Sequence, residues 1–236
     1  QIGSRLQGTS RLTISSSAEQ TNSYYEWDYN NGYFSTGLNT DYYAWMWKRA
    51  RGYFDVVTYT GTGSARTVSH NLGVVPEMMW LKRRNGTGDW AVYHASQGNA
   101  KASKLNTTDA FGTEAYFNST TPTSSVFTLA DFNDSGQPYI AYLFATVAGV
   151  SKVGSYTANG SAQNIDCGFT NGTKWVMIKR SSGTGNWFLI DTTRGLVAGN
   201  DTLLELNTTS NQDSGYDDID PLDAGFTITA YGGTAP

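Results

Sequence analysis

Apolar and aromatic residues fall in short runs along this chain, and the runs are bounded by Gly, Asn, Ser and Pro. In the middle of the chain they occupy 54–59, 78–83, 90–94, 126–129 and 139–145. Runs this short, rich in branched and aromatic side chains and set between turn formers, predict β-strands. Two of them, Met78-Met79-Trp80-Leu81 and Tyr139 to Phe144, are apolar without alternation, which predicts strands covered on both faces. Gly86-Thr87-Gly88 stands between the 78–83 and 90–94 runs and predicts a short hairpin whose glycines take positive φ. No helical period of comparable strength competes with this pattern, so the fold class is all-β.

The runs repeat. Shifted by 97 positions, Tyr59-Thr60, Gly63-Ser64-Ala65, Lys82-Arg83, Gly86-Thr87-Gly88 and Trp90 fall on Tyr156-Thr157, Gly160-Ser161-Ala162, Lys179-Arg180, Gly183-Thr184-Gly185 and Trp187. No gap is needed, and Val68 and Leu81 meet the similar Ile165 and Ile178. The same shift places Tyr42 and Ala44 on Tyr139 and Ala141, and Gly52 on Gly149. With four residues inserted, Leu105-Asn106-Thr107-Thr108 matches Leu206-Asn207-Thr208-Thr209. A fixed period is the mark of a repeat array. The expected architecture is tandem β-sandwich modules of about 97 residues: 1–51 the C-terminal part of a first module, 52–148 a complete module, and 149–236 a third module lacking its last strand. On that reading the chain is a stretch of a longer array. Strand addition between neighbouring chains is the alternative.

Charge and composition narrow the function. Only 15% of the 236 residues are charged and the net charge is -4, which leaves no basic surplus for nucleic acid or an anionic membrane. One cysteine, Cys167, excludes an internal disulfide framework and reads as a small buried residue. No apolar run is long enough for a transmembrane helix.

The sequence Phe54-Asp55-Val56-Val57-Thr58-Tyr59-Thr60-Gly61-Thr62-Gly63, with His70-Asn71-Leu72-Gly73-Val74-Val75-Pro76, Trp90-Ala91-Val92-Tyr93-His94 and Tyr139-Ile140-Ala141-Tyr142-Leu143-Phe144-Ala145, resembles a repeated module of virion proteins. These proteins, often labelled tail-fibre or structural, occur in tailed phages of marine bacteria and cyanobacteria. The third copy shares the resemblance through Gly154-Ser155-Tyr156-Thr157, Thr193-Arg194-Gly195 and Leu206-Asn207-Thr208-Thr209. The resemblance implies a non-enzymatic structural protein at the surface of an extracellular particle, a tail fibre or tail-associated protein in contact with other virion proteins and with the host surface. It carries no catalytic residue.

Candidate chemistry is sparse. His70 and His94 fall on Cys167 and Asp191 under the shift, so neither imidazole recurs and a His-dependent nucleophile is not expected. Two histidines and one cysteine give no zinc spacing, and no cofactor or metal site is expected. Asp213, Asp217, Asp218, Asp220 and Asp223 read as a solvated acidic loop, with a loop-bound Ca²⁺ as the alternative. Asp131 to Gly136 opens like a calcium loop, but Tyr142 stands where the bidentate Glu is required. The Lys82-Arg83 pair is read as a charged sheet edge that discourages strand pairing. Ligand or receptor contact is assigned to Tyr24, Tyr25, Trp27 and Tyr29, an aromatic and acidic stretch peculiar to the first copy. The alternative functions are a carbohydrate-binding module or depolymerase directed at a host glycan, and a capsid decoration protein. A homo-oligomer, by analogy a trimer, is the expected state, because incomplete end copies expose strand edges.

Overall fold

The computed structural model describes residues 1–22, 25–27, 32, 34–35 and 42–229. Every strand pairing among them is antiparallel, and the only helical elements are two 3-10 turns, Arg5–Gln7 and Ala95–Gln97. The chain is all-β. The first stretch holds β1 (Ile2–Gly3), β2 (Ser10–Leu12), β3 (Thr21–Asn22), β4 (Tyr25–Glu26) and β5 (Phe34–Ser35). The second holds β6 (Phe54–Thr60), β7 (Arg66–Ser69), β8 (Met78–Arg83), β9 (Ala91–His94), β10 (Lys101–Lys104), β11 (Gly112–Thr113), β12 (Val126–Leu129) and β13 (Pro138–Phe144). The third holds β14 (Gln163–Asp166), β15 (Trp175–Lys179), β16 (Trp187–Asp191), β17 (Asp201–Glu205), β18 (Asp213–Tyr216), β19 (Ile219–Leu222) and β20 (Gly225–Ile228).

The second stretch forms a six-stranded sheet, β11-β10-β9-β8-β13-β6, with a β7-β12 ribbon laid on one face. Strand side chains point alternately to the two faces, so each apolar run serves two layers. Met79 and Leu81 of β8, with Tyr139, Ala141 and Leu143 of β13, meet Val68, Phe127 and Leu129 of the ribbon in one core. The intervening Met78, Trp80, Ile140 and Tyr142 face the other way. That back face is also buried, which is why these two strands are apolar without alternation. It packs against Leu12 of the first stretch and Trp187, Met177 and Leu206 of the third, so all three stretches meet on one apolar cluster.

The third stretch repeats the pairings of the second. Val68 lies opposite Phe127 in β7-β12, and Ile165 opposite Phe226 in β14-β20. Met78 lies opposite His94 in β8-β9, and Trp175 opposite Asp191, both moved by 97, in β15-β16. The turns into the second and third stretches also agree: isolated bridges join Ala50 to Phe54 and Val147 to Ser151, around Gly52 (φ 79) and Gly149 (φ 72). Both φ values lie where only glycine is comfortable. The β6 and β13 positions differ. Among the described residues sheet β15-β16-β17-β18 ends at β15, and 151–157, the counterpart of β6, forms no strand.

Two expectations need correction. Neither Gly86 and Gly88 nor Gly183 and Gly185 has a positive φ. What the glycines at 86 and 183 allow instead is the close approach of an arginine, because a Cβ there would stand 2.8 Å from the guanidinium of Arg83 and 2.7 Å from that of Arg180 and would push it aside. The Lys82-Arg83 pair does not guard an edge either: β8 is an interior strand between β9 and β13, and Lys82 is fully buried, whereas Lys179 of the recurring pair ends β15, the outer strand of its sheet among the described residues. The polar strands β7 (Arg-Thr-Val-Ser) and β14 (Gln-Asn-Ile-Asp) escape the pattern because each offers its core a single apolar side chain.

Candidate assembly interface

The loops between β8 and β9 and between β15 and β16 do the same work at two places. Trp90 and Trp187 are buried at the end of each loop, and their backbone N–H groups donate to the side-chain oxygens of Asn106 and Asn207 at 2.9 and 2.8 Å. The recurring Asn-Thr-Thr is thereby a clip that sets the Trp against the sheet. An indole buried this way needs an acceptor for its N–H. Trp90 Nε1 donates to the carbonyl of Thr13 at 3.1 Å, and Trp187 Nε1 to that of Lys104 at 3.0 Å. Each Trp thus reaches into the preceding stretch.

Three more bonds recur. The N–H of Gly88 donates to Ser17 O, and that of Gly185 to Thr108 O, both at 2.9 Å. The same two carbonyls accept from the ammonium groups of Lys82 and Lys179, at 3.1 and 3.2 Å. The N–H of Gln20 donates to Arg84 O, and that of Phe111 to Ser181 O. On the loop side the partners are separated by 97 positions; on the other side, Thr13 and Ser17, which accept, and Gln20, which donates, are separated from Lys104, Thr108 and Phe111 by 91. One clasp is built twice, between first and second stretch and between second and third.

Lys82 shows how deep the clasp lies. Its ammonium donates to the carbonyls of Ser17, Arg83 and Gly86, and its stem shares the face of Trp80. Burial lowers its pKa to about 8, against the opposing pull of Asp89. The unfolded chain keeps that proton up to about pH 10.4, so it binds more protons than the folded chain above pH 8, and stability rises with pH there. We expect the wild type to gain about 2 kcal/mol between pH 8 and 10 relative to Lys82→Met. Urea unfolding across that range checks it; parallel curves would show that the ammonium is not desolvated.

The two histidines sit at turns. His70 donates from Nε2 to Thr123 O at 3.2 Å and accepts from Leu72 N–H at Nδ1. His94 Nδ1 accepts from Ser96 N–H, and Ser4 Oγ and Asp191 Oδ1 accept from the N–H two residues on in the same way, from Leu6 and Thr193. An oxygen can replace the imidazole because the position requires only an acceptor. In the 131–136 loop, Asn133 bonds the turn between β6 and β7 through Thr62 and Ser64. Among the described residues no three His, Cys, Asp or Glu side chains gather as a metal site.

Of the aromatic stretch assigned to ligand contact, Tyr24 and Tyr29 lie outside the described residues. Tyr25 belongs to β4, and Trp27 is half-buried with its Nε1 donating to Gly8 O at 3.1 Å. The acidic stretch is partly buried. Asp213 and Asp218, with Asn186, Glu205 and Tyr216, line a hollow of about 480 Å³ on the third stretch. Asp218 is nearly inaccessible, and burial, then the charges of Asp217 and Asp213, raises its pKa.

A family model described as a domain of unknown function (DUF7483) matches residues 7–235, nearly the whole chain. The chain belongs to this family. The matched span takes in both clasps and all three contributors to the shared apolar cluster. No curated protein and no solved structure matches the chain.

What the sequence pattern missed is the accepting half of the clasp. Its loop half shows as Lys-Arg, Gly-Thr-Gly and Trp. The accepting half uses main-chain carbonyls, which any residue type supplies: those of Thr13 and Ser17 at one clasp, and of Lys104 and Thr108 at the other.

Proposed function

We propose that the chain is a non-enzymatic structural protein of a virus particle, a tail fibre or tail-associated protein in which modules spanning 1–51, 52–148 and 149–236 are clasped in succession. The observation that carries this reading is the twofold occurrence of the same four-bond clasp. A contact that joins each module to the one before it by identical chemistry suits a scaffold assembled from repeats of one unit, here gathered on a shared apolar cluster. The resemblance to phage virion modules supplies the particle. The placement of the two histidines and Asn133 at turns supports scaffolding rather than turnover, since these polar groups are engaged by backbone. Gold-labelled antibody against the chain, applied to intact virus particles from the same source, tests the proposal. Labelling along a tail or its fibres is expected. Labelling confined to the head favours capsid decoration, and unlabelled particles overturn the virion reading.

The hollow at Asp213, Tyr216 and Asp218 favours a second reading, glycan binding, because it sets an aromatic ring beside carboxylates and amides that suit sugar hydroxyls. Retention on a glycan array, lost on Tyr216→Ala, would support it.

A further inference from the structure

The second stretch and the third differ on the far side of β8 and β15. β8 has β13 on its far side, whereas β15, its counterpart, has no neighbour there among the described residues. The first stretch has the converse: Tyr42-Tyr43-Ala44-Trp45-Met46-Trp47 falls on Tyr139 to Phe144 of β13 and leads into the same glycine turn, yet it makes no strand pairing. One part of the chain has a β13-like segment without a sheet, and another has a sheet edge without a β13.

The two lie together, in β13 register. In β13-β8, Phe144 stands opposite Met78 and Tyr142 opposite Trp80. Moved by 97, these pairs are Trp47 with Trp175 and Trp45 with Met177. Trp47 meets Trp175 edge to face, with ring centroids 5.5 Å apart. Trp45 lies under the guanidinium of Arg194, 5.2 Å from its centroid, and Arg194 Nη2 donates to Leu189 O. Leu189 is the residue opposite Met177 in β15-β16. Both contacts therefore follow the antiparallel order of β13 on β8. The far end of the segment is fixed by Arg49, whose guanidinium pairs with the buried Asp55 at 2.6 Å. Tyr42, Tyr43 and Met46 remain well exposed. Unpaired aromatic-rich edges are a liability that proteins normally cover.

We propose that Tyr42 to Trp47 adds as a strand to the free edge of β15 within the same chain, closing the first and third stretches on each other around the shared apolar cluster. This rests on the repeat reading, but not on the particle reading. With the segment in place, Ala44 stands opposite Ile178, and Met46 opposite Val176, as Ala141 and Leu143 stand opposite Leu81 and Met79.

Cysteine pairs introduced in a Cys167→Ser background test the register. Ala44→Cys with Ile178→Cys, and Met46→Cys with Val176→Cys, should each form an intrachain disulfide on mild oxidation with oxidised glutathione, at least tenfold faster than the off-register pair Ala44→Cys with Val176→Cys. A folded variant that forms none, or only disulfide-linked dimers, overturns the proposal, the dimer assigning the edge to a second copy. Where a variant does not fold, hydrogen exchange on the wild type decides: the amides of 43–47 should exchange at least a hundredfold more slowly than free peptide, and free-peptide rates overturn the proposal. Either failure leaves the clasps and the particle labelling unaffected.

Discussion

Trp90→Ala is expected to destabilise the chain by about 3–5 kcal/mol, the range for removing a large aromatic ring from a core. The ring is wholly inaccessible and packs with Leu12, Leu105 and Tyr142, so truncation leaves a cavity at the point where first and second stretch meet. It also strips the carbonyl of Thr13 of its donor. Trp90→Phe separates the two effects: it keeps most of the packing and loses the N–H, for a cost of about 1–2 kcal/mol. Trp187→Ala should act in the same direction at the second clasp, where the ring is 3% exposed and packs beside Phe111. Urea unfolding midpoints measure all three. A loss below about 1 kcal/mol for Trp90→Ala would mean that the clasp is a contact without consequence.

The second large effect is expected at Gly61, at the end of β6. A methyl group there would stand 2.1 Å from the carbonyl oxygen of Asp134 and 2.6 Å from the carbonyl carbon of Asn133. Both are backbone atoms, so no side chain can swing aside. The 133–137 loop would have to move, and with it the bonds from Gly61 N–H to Gln137 O, Gly63 N–H to Asn133 O and Gly136 N–H to Gly61 O. Gly61→Ala should therefore cost about 3 kcal/mol or more, from several lost backbone bonds. The internal repeat supplies the contrast. The third stretch carries Ala158 at this position, where it is exposed. Ala158→Gly should cost no more than about 1 kcal/mol. Equal, small effects at both sites would contradict the close approach.

Much of the fold was legible because burial writes itself into residue type. The run at 78–83 coincides with β8, and 126–129 with β12. The unbroken apolar character of Met78 to Leu81 anticipated a second buried face, and the structure fills that face with all three stretches. Polar strands such as β7 and β14 left little trace, since one inward Val or Ile among polar neighbours has no period. Sequence also misread Lys82. A lysine near a glycine turn ordinarily reads as solvated, and only the position of three carbonyls around its ammonium makes burial tolerable. The candidate interface was half visible: Gly-Thr-Gly and Trp stood out as identities under the shift, whereas the carbonyls they grip lie at a different offset and carry no identity. Backbone acceptors are supplied by conformation, and no residue count records them.

Hydrogen exchange at Gly88 and Gly185 addresses the repeated clasp most directly, because their amides are the donors to Ser17 O and Thr108 O. In the whole chain both should be protected to a similar degree. Removing residues 1–21 takes away the acceptor of Gly88 alone, so its amide should exchange at least tenfold faster while Gly185 keeps its protection. Loss of protection at neither site, or at both together, would contradict a chain held by two separate and equivalent clasps.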